Sequence, residues 1–122
     1  MIKKNKILVV DDDAIIGGML KAVLEFKNYK VIVSGKPENT EENIINNNID
    51  LVILDKLISG VDGTDVCTAI RNNAATNNVK VMMMTALHNA GPACIEAGAD
   101  AFMTKPFDME ILYKNVEAVL NQ

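Results

Sequence analysis

Short apolar runs alternate with segments of helical periodicity along the whole chain. Residues 6–10 are apolar after a single lysine, the pattern of a strand buried on both faces. Residues 30–34 alternate and are rich in valine and isoleucine, which predicts a second strand. Residues 50–54, 79–85 and 101–104 predict three more. A first helix is expected to run to about Lys27 from a cap on Asp12 or Asp13, laying Ile16, Leu20, Val23, Leu24 and Phe26 on a sheet. Gly17 and Gly18 weaken it by roughly 1 kcal/mol each against alanine, or allow a close approach to a neighbour. Residues 38–47 predict a second helix, with Asn46, Asn47 and Asn48 as poor helix formers near its end. Residues 64–71 predict a third, with Val66, Cys67 and Ile70 on one side. Residues 92–97 predict a short fourth, stopped by Gly98. Residues 108–120 predict the last, with a stripe of Ile111, Leu112, Val116, Val119 and Leu120. Residues 59–63 and 72–78 read as loops. Met82, Met83 and Met84 lie in the fourth strand and point alternately to its two faces, so they read as core.

Strands that alternate with helices predict an α/β fold, a doubly wound five-stranded parallel sheet with helices on both faces. The 122 residues suit one domain, 1–122. In such folds the site lies beyond the carboxyl ends of the strands. The residues that end the apolar runs are Asp11, Asp12 and Asp13 after the first strand, Asp55 at the end of the third, Thr85 at the end of the fourth and Lys105 after the fifth. Singly, each has an ordinary reading as a cap, a turn former, a strand filler or a solvated lysine. Together, at the same end of successive strands, they predict a site.

Carboxylates gathered at one end of a sheet repel one another and stay ionised together only with a cation among them. Hard oxygens and open positions suit Mg²⁺, which takes one or two carboxylates plus phosphate oxygens. A carboxylate beside that ion can be the nucleophile towards a phosphoryl donor. Lys105 and the Thr85 hydroxyl can compensate the charge on the transferred group.

Charge and composition narrow the partners. The net charge is −4, against direct nucleic-acid binding by this chain. No apolar stretch approaches the roughly 20 residues of a membrane span, and the first ten residues lack the pattern of a signal peptide. Cys67 and Cys94 lack metal-ligand spacing and read as reduced, partly buried thiols of a cytoplasmic protein. His88, the one histidine, reads as a solvated loop residue.

The ordered set Leu8-Val9-Val10-Asp11-Asp12, Leu51-Val52-Ile53-Leu54-Asp55, Val61-Asp62-Gly63, Met84-Thr85-Ala86, Glu96-Ala97-Gly98-Ala99-Asp100 and Lys105-Pro106-Phe107 resembles the response-regulator receiver domain of two-component signalling, of the chemotaxis-regulator kind. The resemblance covers nearly the whole chain. It implies a flavodoxin-like strand order of 2-1-3-4-5. It also implies that Asp55 is the phosphoacceptor and that Asp12, Asp55 and the backbone carbonyl of Leu57 hold Mg²⁺, for which Mn²⁺ can substitute, with Asp11 acting through water. Thr85, Ala86 and Lys105 would meet the phosphoryl group, Phe102 would be the switch aromatic, and the Lys105–Pro106 peptide would be cis. The donor would be a sensor histidine kinase or a histidine phosphotransfer protein. The signal would leave through the fourth helix, fifth strand and fifth helix to a protein effector or output domain. The chain would be a stand-alone receiver or part of a longer regulator, without nucleic-acid or membrane contacts of its own, and not an enzyme beyond its own phosphorylation and dephosphorylation.

The sequence departs from the family in carrying Ser59 where many members have proline, and in a short segment between Thr85 and Gly98. Leu57 and Leu87 hold the positions that flank the attacking water, and neither offers a polar group to orient it. A phosphorylated form that decays slowly is expected. Two other readings compete. A degenerate receiver would bind partners without phosphate. A Mg²⁺-dependent phosphatase would want a second acid where Leu57 stands.

Overall fold

The computed structural model describes residues 4–122. Five strands, β1 (Lys6–Val10), β2 (Lys30–Ser34), β3 (Leu51–Asp55), β4 (Lys80–Thr85) and β5 (Ala101–Thr104), form one parallel sheet in the order β2-β1-β3-β4-β5. The helices are α1 (Ala14–Phe26), α2 (Thr40–Asn47), α3 (Gly63–Asn72), α4 (Gly91–Glu96) and α5 (Met109–Leu120). The doubly wound fold and its strand order are those expected.

Register divides the core in two. Ile7 lies between Val31 and Leu51, and Leu8 between Ile32 and Val52. Successive strand residues face opposite sides. Ile7, Val9, Leu51, Ile53, Met82 and Met84 therefore pack with Leu20 and Leu24 of α1 and Leu112, Val116 and Val119 of α5. Leu8, Val10, Val52, Leu54, Val81 and Met83 pack with Ile44 of α2, Cys67 and Ile70 of α3 and Cys94 of α4. Both cysteines are free and buried, and burial pushes Cys67 up to about 11, so the thiols behave as core.

Several sequence-based expectations are corrected or narrowed. Phe26, expected on the sheet, is 80% exposed, and Ile111 of the α5 stripe is also exposed. Both sit in a terminal turn of their helices, where an apolar residue need not face the core. Of the two α1 glycines Gly17 makes the close approach, since a Cβ there would lie 2.7 Å from Val33 Cγ1, whereas Gly18 faces open space. Asp13, not Asp12, caps α1, accepting from the N–H groups of Ile15 and Ile16. The second helical segment opens with a 3₁₀ turn, Pro37–Asn39, and α2 is capped at its carboxyl end by Asn48 with φ 52°. The loop expected over residues 59–63 is largely a small antiparallel hairpin, Leu57–Ile58 with Val61–Asp62. Ser59 (φ 51°) and Gly60 (φ 80°) make its turn, a pair of positive φ values that suits two-residue hairpins.

At the amino end of the sheet Arg71 ties the end of α3 to the connections that precede β4 and β5. Its Nε donates to Gly98 O (2.9 Å), its Nη1 to the carbonyls of Asn77 and Val79, and its Nη2 to Asp100 Oδ2 (2.9 Å). Asp100 Oδ2 also accepts from Val81 N. Among the described residues, no helix is long and apolar enough to cross a membrane.

Candidate functional site

The carboxyl ends of β1, β3 and β5 bring the expected charges together. Asp11 follows β1, Asp55 ends β3, and Lys105 follows β5. Lys105 Nζ donates to Asp55 Oδ2 at 2.9 Å and lies 3.6 Å from Asp11 Oδ2. Asp11, Asp12 and Asp55 each present a carboxylate oxygen within 4.8 Å of the others.

The three acids differ in surroundings. Asp11 is 2% exposed; its Oδ1 accepts from Asp13 N (2.9 Å), and its buried Oδ2 has no hydrogen bond among the described residues. Burial holds the Asp11 carboxyl above its ordinary range, although the Asp13 N–H and the Lys105 charge pull the other way. Asp12 is exposed, and its Oδ2 accepts from Ser59 N (2.8 Å) and Ser59 Oγ (3.2 Å). Asp55 is buried, and its Oδ1 accepts a long bond from Leu57 N (3.5 Å). Burial alone would lower the Lys105 pKa, but the hydrogen bond to Asp55 and the charges of Asp55 and Asp11 raise it above the usual lysine range.

The acceptor loop is fixed from several sides. Lys56 N donates to Met84 O (2.8 Å), and Gly63 N donates to Lys56 O (2.6 Å). A Cβ at residue 63 would run into the Asp55 carbonyl oxygen, so glycine is required there. Asp62 caps α3 by accepting from Thr64 N, which first of all holds its carboxyl below the ordinary range. Lys56 Nζ bridges both Asp62 oxygens at 3.1 Å.

The remaining expected residues surround this cluster unevenly. Thr85 is buried; its Oγ1 accepts from Leu87 N (3.0 Å), and its carbonyl accepts from Lys105 N (2.7 Å). No hydrogen bond joins its hydroxyl to the carboxylates or to Lys105 among the described residues. Ala86 is exposed and lines an apolar groove of about 520 Å³ with Ile16, Met19, Lys105, Pro106 and Phe107. The Lys105–Pro106 peptide is cis. Leu57 and Leu87 are 65% and 59% exposed, and His88 is exposed. Phe102 is partly exposed with its ring against Gly91, where a Cβ would collide with it.

Sequence reasoning missed Ser59 as the partner of Asp12, and it missed the Lys56–Asp62 bridge. A serine in a polar turn carries no periodic signal. Its partner is 47 residues away. Gly63 was visible as a glycine just before a helix, but its reason, the Asp55 carbonyl, was not.

Fold and pocket together define a doubly wound α/β domain with a polar site at the strand carboxyl ends. The profile of the response regulator receiver domain family matches residues 7–117, and the chain belongs to that family of two-component signalling switches. The chain is 36% identical over 124 residues to the transcriptional regulatory protein ResD of Bacillus subtilis, covering 98% of this chain and 49% of that one. It thus spans about half the length of the curated relatives it matches. A crystal structure of a two-component response regulator from Clostridium difficile superposes with a TM-score of 0.88 at 30% identity, covering 98% of both chains. The BeF3-activated N-terminal receiver domain of Klebsiella pneumoniae RstA gives 0.88 at 28% identity, covering 97% of this chain and 100% of that one.

Proposed function

We propose that residues 1–122 act as one receiver unit in which Asp55 accepts a phosphoryl group from a phosphohistidine. The donor is a sensor histidine kinase or a histidine phosphotransfer protein. The observation that carries the reading is the Lys105 Nζ contact of 2.9 Å to Asp55 Oδ2, made inside a cluster of three carboxylates. An Asp55 oxygen attacks phosphorus, the N–P bond breaks, and the imidazole leaves. Lys105 then pairs with the phosphoryl oxygens, and the Thr85 hydroxyl and Ala86 N–H donate to them.

The residues fit Mg²⁺. The donor set is hard oxygen, and the buried Asp11 Oδ2 lacks a hydrogen-bond partner among the described residues. Asp12, Asp55 and the Leu57 carbonyl would hold the ion, with Asp11 acting through water. When bound, it supplies charge neutralisation to the phosphoryl oxygens. Mn²⁺ can fill the same role.

Phosphorylation shifts the domain between two arrangements through contacts better made in one of them. Those contacts are Thr85 and Lys105 to phosphate, and the Phe102 surface of α4, β5 and α5 carries the readout to a protein effector or output domain. The apolar groove beside Lys105 suits a protein donor better than a small one. The unit works in the cytoplasm without nucleic-acid or membrane contacts of its own, and the only reactions it catalyses are its own phosphorylation and dephosphorylation.

The test is intact mass after acetyl phosphate, with and without Mg²⁺, on the wild type and Asp55→Asn. The expected result is one added phosphoryl group that needs both Mg²⁺ and Asp55. No gain under any condition overturns the reading in favour of a phosphate-independent binding module. The exposed Leu57 and Leu87 give the attacking water no polar guide, so slow decay of the phosphorylated form is expected. A polar residue at either position should change the decay rate; unchanged rates at both would remove that expectation.

A further inference from the structure

Asp12 is exposed and stands on a loop, so a carboxylate there would ordinarily sample several rotamers. Here one oxygen is held twice. Ser59 N donates to Oδ2 at 2.8 Å and Ser59 Oγ donates to it at 3.2 Å, across 47 residues of sequence. The other oxygen, Oδ1, has no hydrogen bond among the described residues.

The holder is itself held. Ser59 occupies the left-handed corner of the hairpin at φ 51°, with Gly60 beside it at φ 80°. Strand pairing of Leu57 with Asp62 and of Ile58 with Val61 fixes the two arms. The hairpin begins two residues after Asp55, and its base is closed by the Lys56–Asp62 bridge and the Gly63 N to Lys56 O bond. The turn thus joins the end of β1 to the end of β3. Proline could not serve at residue 59, because its φ is near −65° and it has no N–H to give.

We propose that Ser59 is a positioning residue for the cation site, holding the Asp12 carboxylate and so setting Mg²⁺ affinity. The inference rests on the Mg²⁺ reading above. It adds a partner behind the ligand. Such partners orient metal-binding carboxylates, and their loss commonly costs affinity. Both donors act on one oxygen, so the carboxylate is fixed without being used up.

The test is Mg²⁺ titration of the full chain followed by amide NMR on the wild type, Asp12→Ala and Ser59→Gly. Glycine accepts the positive φ without strain, so the hairpin should survive while the hydroxyl is lost. Unmoved sheet amides check that the fold is intact. Ser59→Gly is expected to weaken Mg²⁺ binding about 3- to 10-fold. Asp12→Ala is expected to weaken it further and to shift the Ser59 amide proton upfield as its acceptor disappears. A wild type without saturable Mg²⁺ binding overturns the underlying reading. If Asp12→Ala loses affinity while Ser59→Gly binds within twofold of wild type, or more tightly, the positioning role of the Ser59 side chain is overturned. An unmoved Ser59 amide in Asp12→Ala overturns it as well.

Discussion

Arg71 and Asp100 at the amino end of the sheet, and Lys105 with Asp11 and Asp55 at the carboxyl end, form two ion-pair clusters whose cations are similarly shielded but whose acids are more deeply buried at the carboxyl end, and they differ in completeness. At the amino end every contact closes. Arg71 serves three carbonyls and one carboxylate, and Asp100 Oδ2 also takes the Val81 N–H. At the carboxyl end one lysine faces three acids, which leaves two negative charges uncompensated, and Asp11 Oδ2 is buried without a hydrogen bond among the described residues. A planar guanidinium gives several directed donors, whereas an ammonium acts as a point charge. The amino end is built to hold segments together. The carboxyl end keeps an excess of negative charge, which costs stability and, on the proposed function, would provide a place for a cation and a phosphoryl group.

Replacement at the amino end should have the largest effect on folding. Arg71→Ala leaves Asp100 and the carbonyls of Asn77, Val79 and Gly98 without their donor, and is expected to cost about 2–4 kcal/mol in urea unfolding. Its Mg²⁺ affinity should stay within twofold of wild type. A loss under about 1 kcal/mol would mean that water replaces the guanidinium and that the brace is ornamental.

The same kind of change at the carboxyl end should have the opposite sign. Asp11→Asn keeps the shape and removes one charge from a crowded pocket. In EDTA it is expected to raise unfolding stability by about 0.5–1 kcal/mol while weakening Mg²⁺ binding. A destabilised Asp11→Asn protein would show that its ion pair with Lys105 outweighs the repulsion, and the contrast between the two ends would fail.

The two ends were not equally legible in the sequence. The strands were readable because each is a short apolar run closed by a polar residue, and the same feature marked Asp11, Asp12, Asp55 and Lys105. That these four meet follows from parallel strands sharing one carboxyl edge. Arg71 gave no such signal, because its meaning lies in Asp100, 29 residues away. Ser59 was hidden for the same reason. Hairpin arms two residues long have no period to detect, so residues 59–63 read as a bare loop. Phe26 and Ile111 show the reverse error: helical spacing marks apolar positions, but in an end turn it does not say that the sheet reaches them.

The smallest expected effect, the pH dependence of folding in EDTA, examines the carboxyl end directly. Burial raises the Asp11 pKa above 3.8 in the folded protein. Its ionised form is therefore less favourable folded than unfolded. That cost is fully present above the raised value and disappears as pH falls towards 3.8. Acidification from about pH 7 should first stabilise the metal-free protein slightly. The Thr64 N–H depresses Asp62 below 3.8, so its contribution is present above 3.8 and is lost as pH falls through its folded value. The lysine enters elsewhere: Lys105 is raised above 10.5, so its contribution is lost only as pH rises beyond that. Urea midpoints across this range should rise and then fall for the wild type in EDTA. The rise should vanish in Asp11→Asn, and also with saturating Mg²⁺, where binding to the ionised pocket offsets the cost. If the wild type shows no rise, the Asp11 charge is already balanced without a metal ion, and the carboxyl end is as complete as the amino end.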